Sequence, residues 1–543
     1  MKLLLRHEGW AGRATGLGLG GAAVCGQAPL HLWPVTLICL ACLYLRLNYA
    51  SQSSRPRKAG FHSAMWFALG YFGVSIFWVG SAFIARGPAF IPIMPPMVLG
   101  LAALLAIFWG LAGGYYAVWA AKVKPSAIWA VLAFTSFFFL AEFARGHVFG
   151  GLPWNLLGYI FEAGSAPSQV AVWINIYGLT WLVLLMAACI GRAIERGVIT
   201  PKAPRKMAVM LPSFAALCVL ASLFTYGHLR LSGAQDDRSA GVKIRIVSVP
   251  FEQSEHLDPQ KSFEIVNRFL TQSLAPGIED VTHIVWPEGA ALGLAMDDIG
   301  LLQAMGRGLV SYDNTPPVWL MQSLRLETIP DSQTGNIINN YYNSSVAVTF
   351  DALGNPAVSG YNDKHRLVPF GEFIPGGKWA ESHVPIVSAA LSSMTPAPRK
   401  TLSNFPGLPR VSPQICYEAL FTGLTPKDLK SPAELILNQS NDAWYGESWG
   451  PLQHANMAKY RAIEQGLPMV RAASNGLSGV INPYGRVSEF LTAVDESHID
   501  TYLPKPLNLN NNTKLITLIL CLLNLGIGLL CMRLFWRSET VAI

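Results

Sequence analysis

The chain has 543 residues, 51% of them hydrophobic and only 13% charged, with a formal net charge of +7. That charged fraction is about half the level of soluble domains, which excludes a wholly water-soluble protein. The basic excess lies in short clusters between apolar runs rather than in a stripe interleaved with aromatics, so nucleic acid is not an expected partner.

Taken in chain order, long apolar runs start near Leu32, Met65, Pro92, Ala127, Val170 and Met207, and a last one starts at Leu515. Each approaches the roughly 20 residues needed to cross a bilayer. An earlier run, GLGLGGAAVCG, is short and glycine-rich, and hydropathy alone does not decide it. Charge placement does. Lys2, Arg6 and Arg13 precede that run, and Arg55, Arg57 and Lys58 follow the next one. Basic clusters stay on the cytoplasmic side, so two crossings must separate these two clusters. Lys122 with Lys124, the segment ERGVITPKAPRK, and Arg533 with Arg537 continue the alternation.

About eight transmembrane helices are therefore expected, with both termini cytoplasmic. The domain organisation reads as seven helices in residues 1–227, an extracytoplasmic globular domain in residues 228–512, and a last helix with a cytoplasmic tail in residues 513–543. The opening MKLLLRHEGW is not expected to be a cleaved signal, because charge interrupts it after three leucines. GLGLGG has dinucleotide-loop spacing but follows no strand, and glycine-mediated helix packing explains it better. Glu142 is an acid inside a predicted span, and Arg145 one turn later gives it a partner on the same face.

Beyond residue 240 the pattern changes. Short β-rich runs, VKIRIVSVP, THIVWPE, VWLMQSLRL, NSSVAVTF, RVSPQICYE, AELILNQS and GVINPYGRV, alternate with the helical patterns PQKSFEIVNRFLTQSLA and QHANMAKYRAIEQG. That alternation predicts an α/β layered domain, whose reactive groups tend to follow the carboxyl ends of strands. Glu288 ends one such strand and Cys416 another.

Cys416 stands apart from the other seven cysteines, which all sit in apolar runs. It is consistent with a small buried hydrophobe or with a nucleophile. The second role needs a base, since an ordinary thiol has a pKa of about 8.5, and a cation or amide donors for an oxyanion. Glu288 in VWPEGA and Lys364 in YNDKHRLVPFGEFIP supply those groups, although each alone would pass as a solvated loop charge. His365, Arg366, Trp444 and Tyr445 read as loop or packing residues, and NGLSG around Ser478 lacks nucleophile-elbow spacing. No Cys/His spacing of the zinc type is present in the outer domain, so neither a metal nor another cofactor is expected.

Glu288, Lys364 and Cys416, in that order, resemble the Glu-Lys-Cys triad of the nitrilase (carbon–nitrogen hydrolase) superfamily. VWPEG, KHRLVPFGEFIP, ICYEALF, SNDAWYGESWGPLQH and RAIEQGLPMVRAASNG, with AEFARG and GGLPWNLLGY before them, resemble more closely its apolipoprotein N-acyltransferase family. The resemblance covers nearly the whole chain. It implies an α-β-β-α sandwich on a polytopic helical membrane domain, and two-step acyl transfer at the outer face of a bacterial cytoplasmic membrane. Cys416 would be the nucleophile that takes an acyl chain from a phospholipid as a thioester. Glu288 would be the general base and Lys364 the oxyanion partner, with Glu372, Tyr417 and Glu418 in supporting positions. The acceptor would be the α-amino group of the diacylglyceryl-cysteine of an apolipoprotein. Many family members carry tryptophan just before the Asp-Pro of the QSEHLDP segment, where this chain has Leu257.

Two other function classes fit part of the pattern. A membrane-tethered amidase would use the same triad with water in place of the amine. A transporter with an appended binding domain fits least, because its spans would normally carry several buried charges. The membrane half separates the first two, since a soluble amide needs no lipid-embedded base whereas two lipid substrates do.

Overall fold

The computed structural model describes residues 9–199, 206–234, 238–310, 315–330, 337–373, 394–426, 428, 430–507, 509, 518–519, 522–527 and 530. The chain divides into two compact units, Met1–Ile84 with Pro88–Ala234 and Asn510–Ile543, and Ala85–Gly87 with Gln235–Leu509.

The first unit is helical. Its helices are α1 (Gly9–Ala23), α2 (Trp33–Ala50), α3 (Pro56–Ser75), α4 (Val79–Ala85), α5 (Met94–Val123), α6 (Ala127–Arg145), α7 (Ala171–Ile194) and α8 (Lys206–Ser232). Among the described residues five helical stretches are long and apolar enough to cross a membrane: α2, Pro88–Val123, α6, Pro167–Ile199 and α8. A sixth forms if α3 and α4, bent by 46° at a short break, count together. Five or six of the expected eight spans are thus present among the described residues. The glycine-rich run folds as α1, of which Gly9–Ala23 are described. Most of the expected C-terminal span, with Lys2, Arg6, Arg533 and Arg537, lies outside the described residues.

Glycine in α1 serves helix contact. A Cβ on Gly20 would lie 1.8 Å from the Phe67 carbonyl oxygen, and one on Gly70 would lie 2.1 Å from that of Leu17. Small residues at these points let α1 and α3 touch backbone to backbone. Glu142 and Arg145 are fully buried and joined by two hydrogen bonds of 2.8 and 2.9 Å. Trp109 Nε1 also donates to Glu142 at 2.9 Å, and Arg145 Nη1 donates to the carbonyls of Leu152 and Trp154 at 2.6 and 3.0 Å. The pair therefore fastens the irregular stretch after α6 to the helices around it.

The second unit is an α-β-β-α sandwich. β1 (Arg238–Ser248), β2 (His283–Val285), β3 (Val318–Pro330), β4 (Ile337–Phe350), β5 (Pro356–Asp363) and β11 (Ser497–Pro504) form one sheet in the order β11-β1-β2-β3-β4-β5. β6 (Val411–Ile415), β7 (Leu435–Asn441), β8 (Met469–Ser474), β9 (Ser478–Ile481) and β10 (Val487–Leu491) form the other, ordered β10-β9-β8-β7-β6. Strand alternation builds the layers. Ile244, Ile246, Val285, Leu320 and Ala347 meet Val411, Leu435, Leu437, Val470 and Ala472 between the sheets. The neighbouring residues Val247, Ile284, Trp319 and Val346 point the other way, onto α9 (Pro259–Ser273) and α10 (Ile299–Arg307). Ile436 and Met469 pack on Ala458 and Ala462 of α11 (Gly450–Gln465).

The strands read from the sequence are present, with one change: GVINPYGRV is a hairpin, β9 and the start of β10 around a turn at Asn482. Three strands went unread, and β10 was reached only at its first residue, Val487. β5 begins with proline and contains Gly360, β8 carries the buried Arg471, and β10 and β11 are too polar to stand out as apolar runs.

Removing Glu142 alone should leave a buried, uncompensated guanidinium. Glu142→Ala is expected to destabilise the protein by about 3–5 kcal/mol, while the Glu142→Leu/Arg145→Met pair recovers most of that loss. Thermal unfolding of the full chain in detergent measures both.

Candidate active site

Each sequence-predicted group follows a strand. Glu288 lies three residues past β2, Lys364 directly follows β5, and Cys416 directly follows β6. β2 and β5 belong to one sheet and β6 to the other, so the site sits on the seam of the sandwich. Gly289 makes the turn after Glu288: its φ is +82°, and a Cβ there would lie 2.6 Å from Asn441 Nδ2. Cys416 itself has φ +49°, a region that costs a residue with a Cβ about 1–2 kcal/mol. The chain enters a 3₁₀ turn, Cys416–Leu420, immediately after the strand.

Glu418 holds that turn. Its fully buried carboxylate accepts from the Ile415 N–H at 2.9 Å and from Lys400 Nζ at 2.7 Å. It also accepts from the N–H groups of His365 and Arg366 at 2.8 and 3.1 Å, so one side chain ties the cysteine turn to the segment that carries Lys364. His365 Nδ1 lies 2.7 Å from the Ala397 carbonyl and the Arg366 guanidinium lies over the Phe421 ring, which accounts for both as local contacts. Tyr417 is buried with its ring edge-on to Phe421 at 5.1 Å.

Glu288, Lys364, Glu372 and Cys416 come together. Lys364 Nζ donates to Glu372 Oε1 at 2.7 Å. Asn343 Nδ2 donates to Glu288 Oε1 at 2.8 Å and to Glu372 Oε1 at 3.2 Å, linking the two carboxylates. Glu288 Oε2 accepts from the Asn441 N–H at 3.0 Å, and the Cys416 thiol is close enough to feel the charge of this carboxylate. Glu372 Oε2 accepts from the Val368 N–H at 2.8 Å.

Burial sets the proton affinities here. It pushes the Glu288 carboxyl above its ordinary value, against the pull of Lys364. It pushes the Cys416 thiol well up, and the Glu288 charge adds to the effect. Burial alone would lower Lys364, but Glu372, Glu288 and Cys416 together hold its ammonium far above the usual lysine range. The resting arrangement is a neutral thiol beside a carboxylate and a permanent cation. A nucleophile, a proton acceptor and a fixed positive charge within one dry cluster can carry out acyl transfer through sulfur.

Several polar residues of this site were not singled out from the sequence. Asp442, His454 and Arg471 form a buried chain: His454 Nδ1 lies 2.8 Å from Asp442 Oδ1, and Arg471 Nη2 donates to Asp442 Oδ2 at 2.6 Å. His454 Nε2 lies 3.3 Å from the Cys416 carbonyl oxygen, so this chain supports the strained residue from beneath. The signal was the run LNQSND, which puts five consecutive polar residues, all buried, where an apolar strand should continue. Tyr445, read as packing, is buried with its hydroxyl 3.4 Å from His454 Nδ1, and Trp444 is half-buried. Leu257 is 75% exposed at the end of the turn before α9.

Residues 19–189 match the family model described as the apolipoprotein N-acyltransferase N-terminal domain, and residues 325–499 match the carbon–nitrogen hydrolase model. The chain is 34% identical to the apolipoprotein N-acyltransferase of Caulobacter vibrioides over 89% of its own length and 86% of that protein. It is 31% identical to that of Rhodopseudomonas palustris over 92% and 90% of the two chains. Among solved structures it is similar to an amidase of the nitrilase superfamily from Nesterenkonia AN1, at 15% identity and a TM-score of 0.33 over 50% of this chain and 94% of that one.

Burial would raise Glu418, but Lys400 and three backbone N–H groups hold it below its ordinary value of about 4.5. The stability it contributes is thus present above pH 4.5 and is lost as the pH falls through the lower folded value. Glu418→Gln should flatten the acid limb of the stability curve and lower the plateau above it by about 1.5–3 kcal/mol. Thermal midpoints measured against pH test both effects.

Proposed function

Because the chain belongs to the apolipoprotein N-acyltransferase family, we propose that it transfers a fatty acyl chain from a phospholipid to the α-amino group of a diacylglyceryl-cysteine at the N-terminus of an apolipoprotein, by way of a thioester on Cys416. The observation that carries this reading is the cluster itself: a buried thiol within electrostatic reach of the Glu288 carboxylate and the Lys364 ammonium.

In the first half-reaction the Cys416 sulfur attacks the ester carbonyl while its proton passes to Glu288. The carbonyl electron pair moves onto oxygen and is stabilised by Lys364. Collapse breaks the ester C–O bond, and the glycerol oxygen takes the proton from Glu288 to leave as lysophospholipid. In the second half-reaction the acceptor amine attacks the thioester carbonyl and gives a proton to Glu288. The C–S bond breaks, and the sulfur recovers that proton. Atoms, charge and protons return to their starting state, so the cycle draws on no other reactant.

Splitting ester aminolysis in two is useful because a thioester acylates a neutral amine more readily than an ester does. Glu372 and Asn343 orient the ammonium and the base through the contacts described above. Glu418 fixes the nucleophile turn, and Tyr417 flanks the sulfur in sequence. Residues 228–512 would form the catalytic domain on the periplasmic face of the bacterial cytoplasmic membrane, with both termini in the cytoplasm. Basic clusters between the apolar runs support that orientation. The competing reading, an amidase that delivers water to the same thioester-type intermediate, is distinguished by product.

Intact-mass measurement after incubation with phospholipid should show a hydroxylamine-labile fatty acyl adduct on the wild type and none on Cys416→Ser. Ammonia release from simple amides with no acyl adduct would instead establish the amidase. Lys364→Met is expected to slow adduct formation by roughly 10²–10³-fold, as for loss of an oxyanion donor.

The pH profile is a separate check. Glu288 must be ionised to accept the proton, and burial raises its value above about 4.5. Activity should therefore rise with pH through a limb lying above that of an ordinary glutamate. Glu288→Gln should lose roughly 10²–10⁴-fold in rate and the limb with it.

A further inference from the structure

Away from the site, α3 and α5 enclose a groove of about 570 Å³ in the helical unit. One end is basic. Arg55, Arg57 and Lys58 come from the start of α3, and Lys122 comes from the last turn of α5. The rest is apolar, lined by Phe61, Leu111, Tyr115 and Val118. No acidic residue lines it.

The floor depends on glycine. A Cβ on Gly114 would lie 3.2 Å from the Arg57 carbonyl oxygen and 3.4 Å from Phe61 Cβ, so a larger residue would fill the space between the helices. The Arg57 guanidinium lies 5.7 Å from the centroid of the exposed Tyr115 ring, which draws it over the groove mouth. The N-terminus of α3, with Arg55 at its cap and Pro56 in its first turn, adds the positive end of a helix dipole to the same point.

We infer that this groove binds an anionic glycerophospholipid, with its phosphate among Arg55, Arg57, Lys58 and Lys122 and one acyl chain along Phe61, Leu111 and Tyr115. The preference of basic residues for the cytoplasmic side explains why positive charge is at this edge. It does not explain why cations from two different helices converge on one apolar channel free of carboxylates. A phospholipid matches both halves of that arrangement, since basic pockets between spanning helices take anionic headgroups and an apolar groove in a bilayer is filled by acyl chains. The site lies wholly on α3 and α5 and shares no residue with the acyl-transfer cluster, so it concerns a bound lipid rather than the acyl donor.

The test is native mass spectrometry of the full chain released from detergent with equal amounts of phosphatidylglycerol and phosphatidylethanolamine of matched chains. Wild type should retain phosphatidylglycerol preferentially. Arg57→Gln and Lys58→Gln should each weaken that retention by roughly fivefold, and Lys58→Arg should keep it. Leu111→Trp changes no charge but narrows the channel, and should also weaken retention. Lys124→Gln, at the cap of the same helix end but outside the lining, should leave it unchanged. Equal unfolding midpoints in phosphatidylethanolamine alone separate loss of lipid from loss of fold. No preference in the wild type overturns the inference. So does a Lys124→Gln effect as large as that of Lys58→Gln, or a Leu111→Trp variant that binds as wild type does, because either outcome means diffuse surface charge.

Discussion

Taking Glu288, Lys364 and Glu372 out of water together is the constraint around which the outer unit is organised. An isolated charge in that position would cost several kcal/mol, so each must be bought back by a partner of opposite sign or by hydrogen bonds. Lys364 meets Glu372 directly, and Asn343 gives one amide group to both carboxylates. The Asn441 and Val368 N–H groups complete the acceptors. Removing any one of these donors would strand a buried charge, which is why the reactive groups are surrounded by neutral amides rather than by more ions.

The second consequence is mechanical. The donors come from both sheets, so satisfying the charges also joins the sheets. Gln439 of β7 donates to the Trp286 carbonyl at 2.8 Å and accepts from Ser345 of β4 at 2.6 Å. Glu418 links the β6 end to the segment after β5, and Asn441 links the β7 end to Glu288. The apolar layer between the sheets supplies most of the burial, but hydrophobic contact is non-directional. These bonds set the register at the rim, where a shift of one residue would take Cys416 off its turn. Positive φ at Cys416 persists because Glu418 on one side and His454 on the other hold its neighbours.

How much was legible in the sequence follows from the same physics. Alternating apolar residues made β1 to β4, β6 and β7 readable, because their inward faces must be apolar to form the layer between the sheets. β8 was missed for the opposite reason. Its Arg471 is buried in the chain with Asp442, and a buried cation breaks the apolar pattern that marks a strand. Glu288, Lys364 and Cys416 were found because local motifs surround each of them. Asn343 was not, since one of three asparagines in β4 looks like any polar residue on a half-exposed strand; only the fold reveals that it faces two carboxylates. In the helical half, sustained apolar length marked α2, α5, α6, α7 and α8, because a helix in lipid must be apolar over most of its length.

The elevated thiol deserves its own explanation, because a nucleophilic cysteine is more often activated by lowering its pKa. Here burial and the Glu288 charge push Cys416 the other way, and the sulfur stays protonated at rest. Thiolate is the form that oxidises and exchanges with disulfides, so a neutral, nearly inaccessible thiol is protected from both reactions. The penalty falls on reactivity, and in the proposed mechanism proton transfer to Glu288 would lift it as a carbonyl approaches Lys364. Under the proposed mechanism the sulfur would become nucleophilic only in the presence of an acyl group to attack, which would tie its activation to arrival of the substrate.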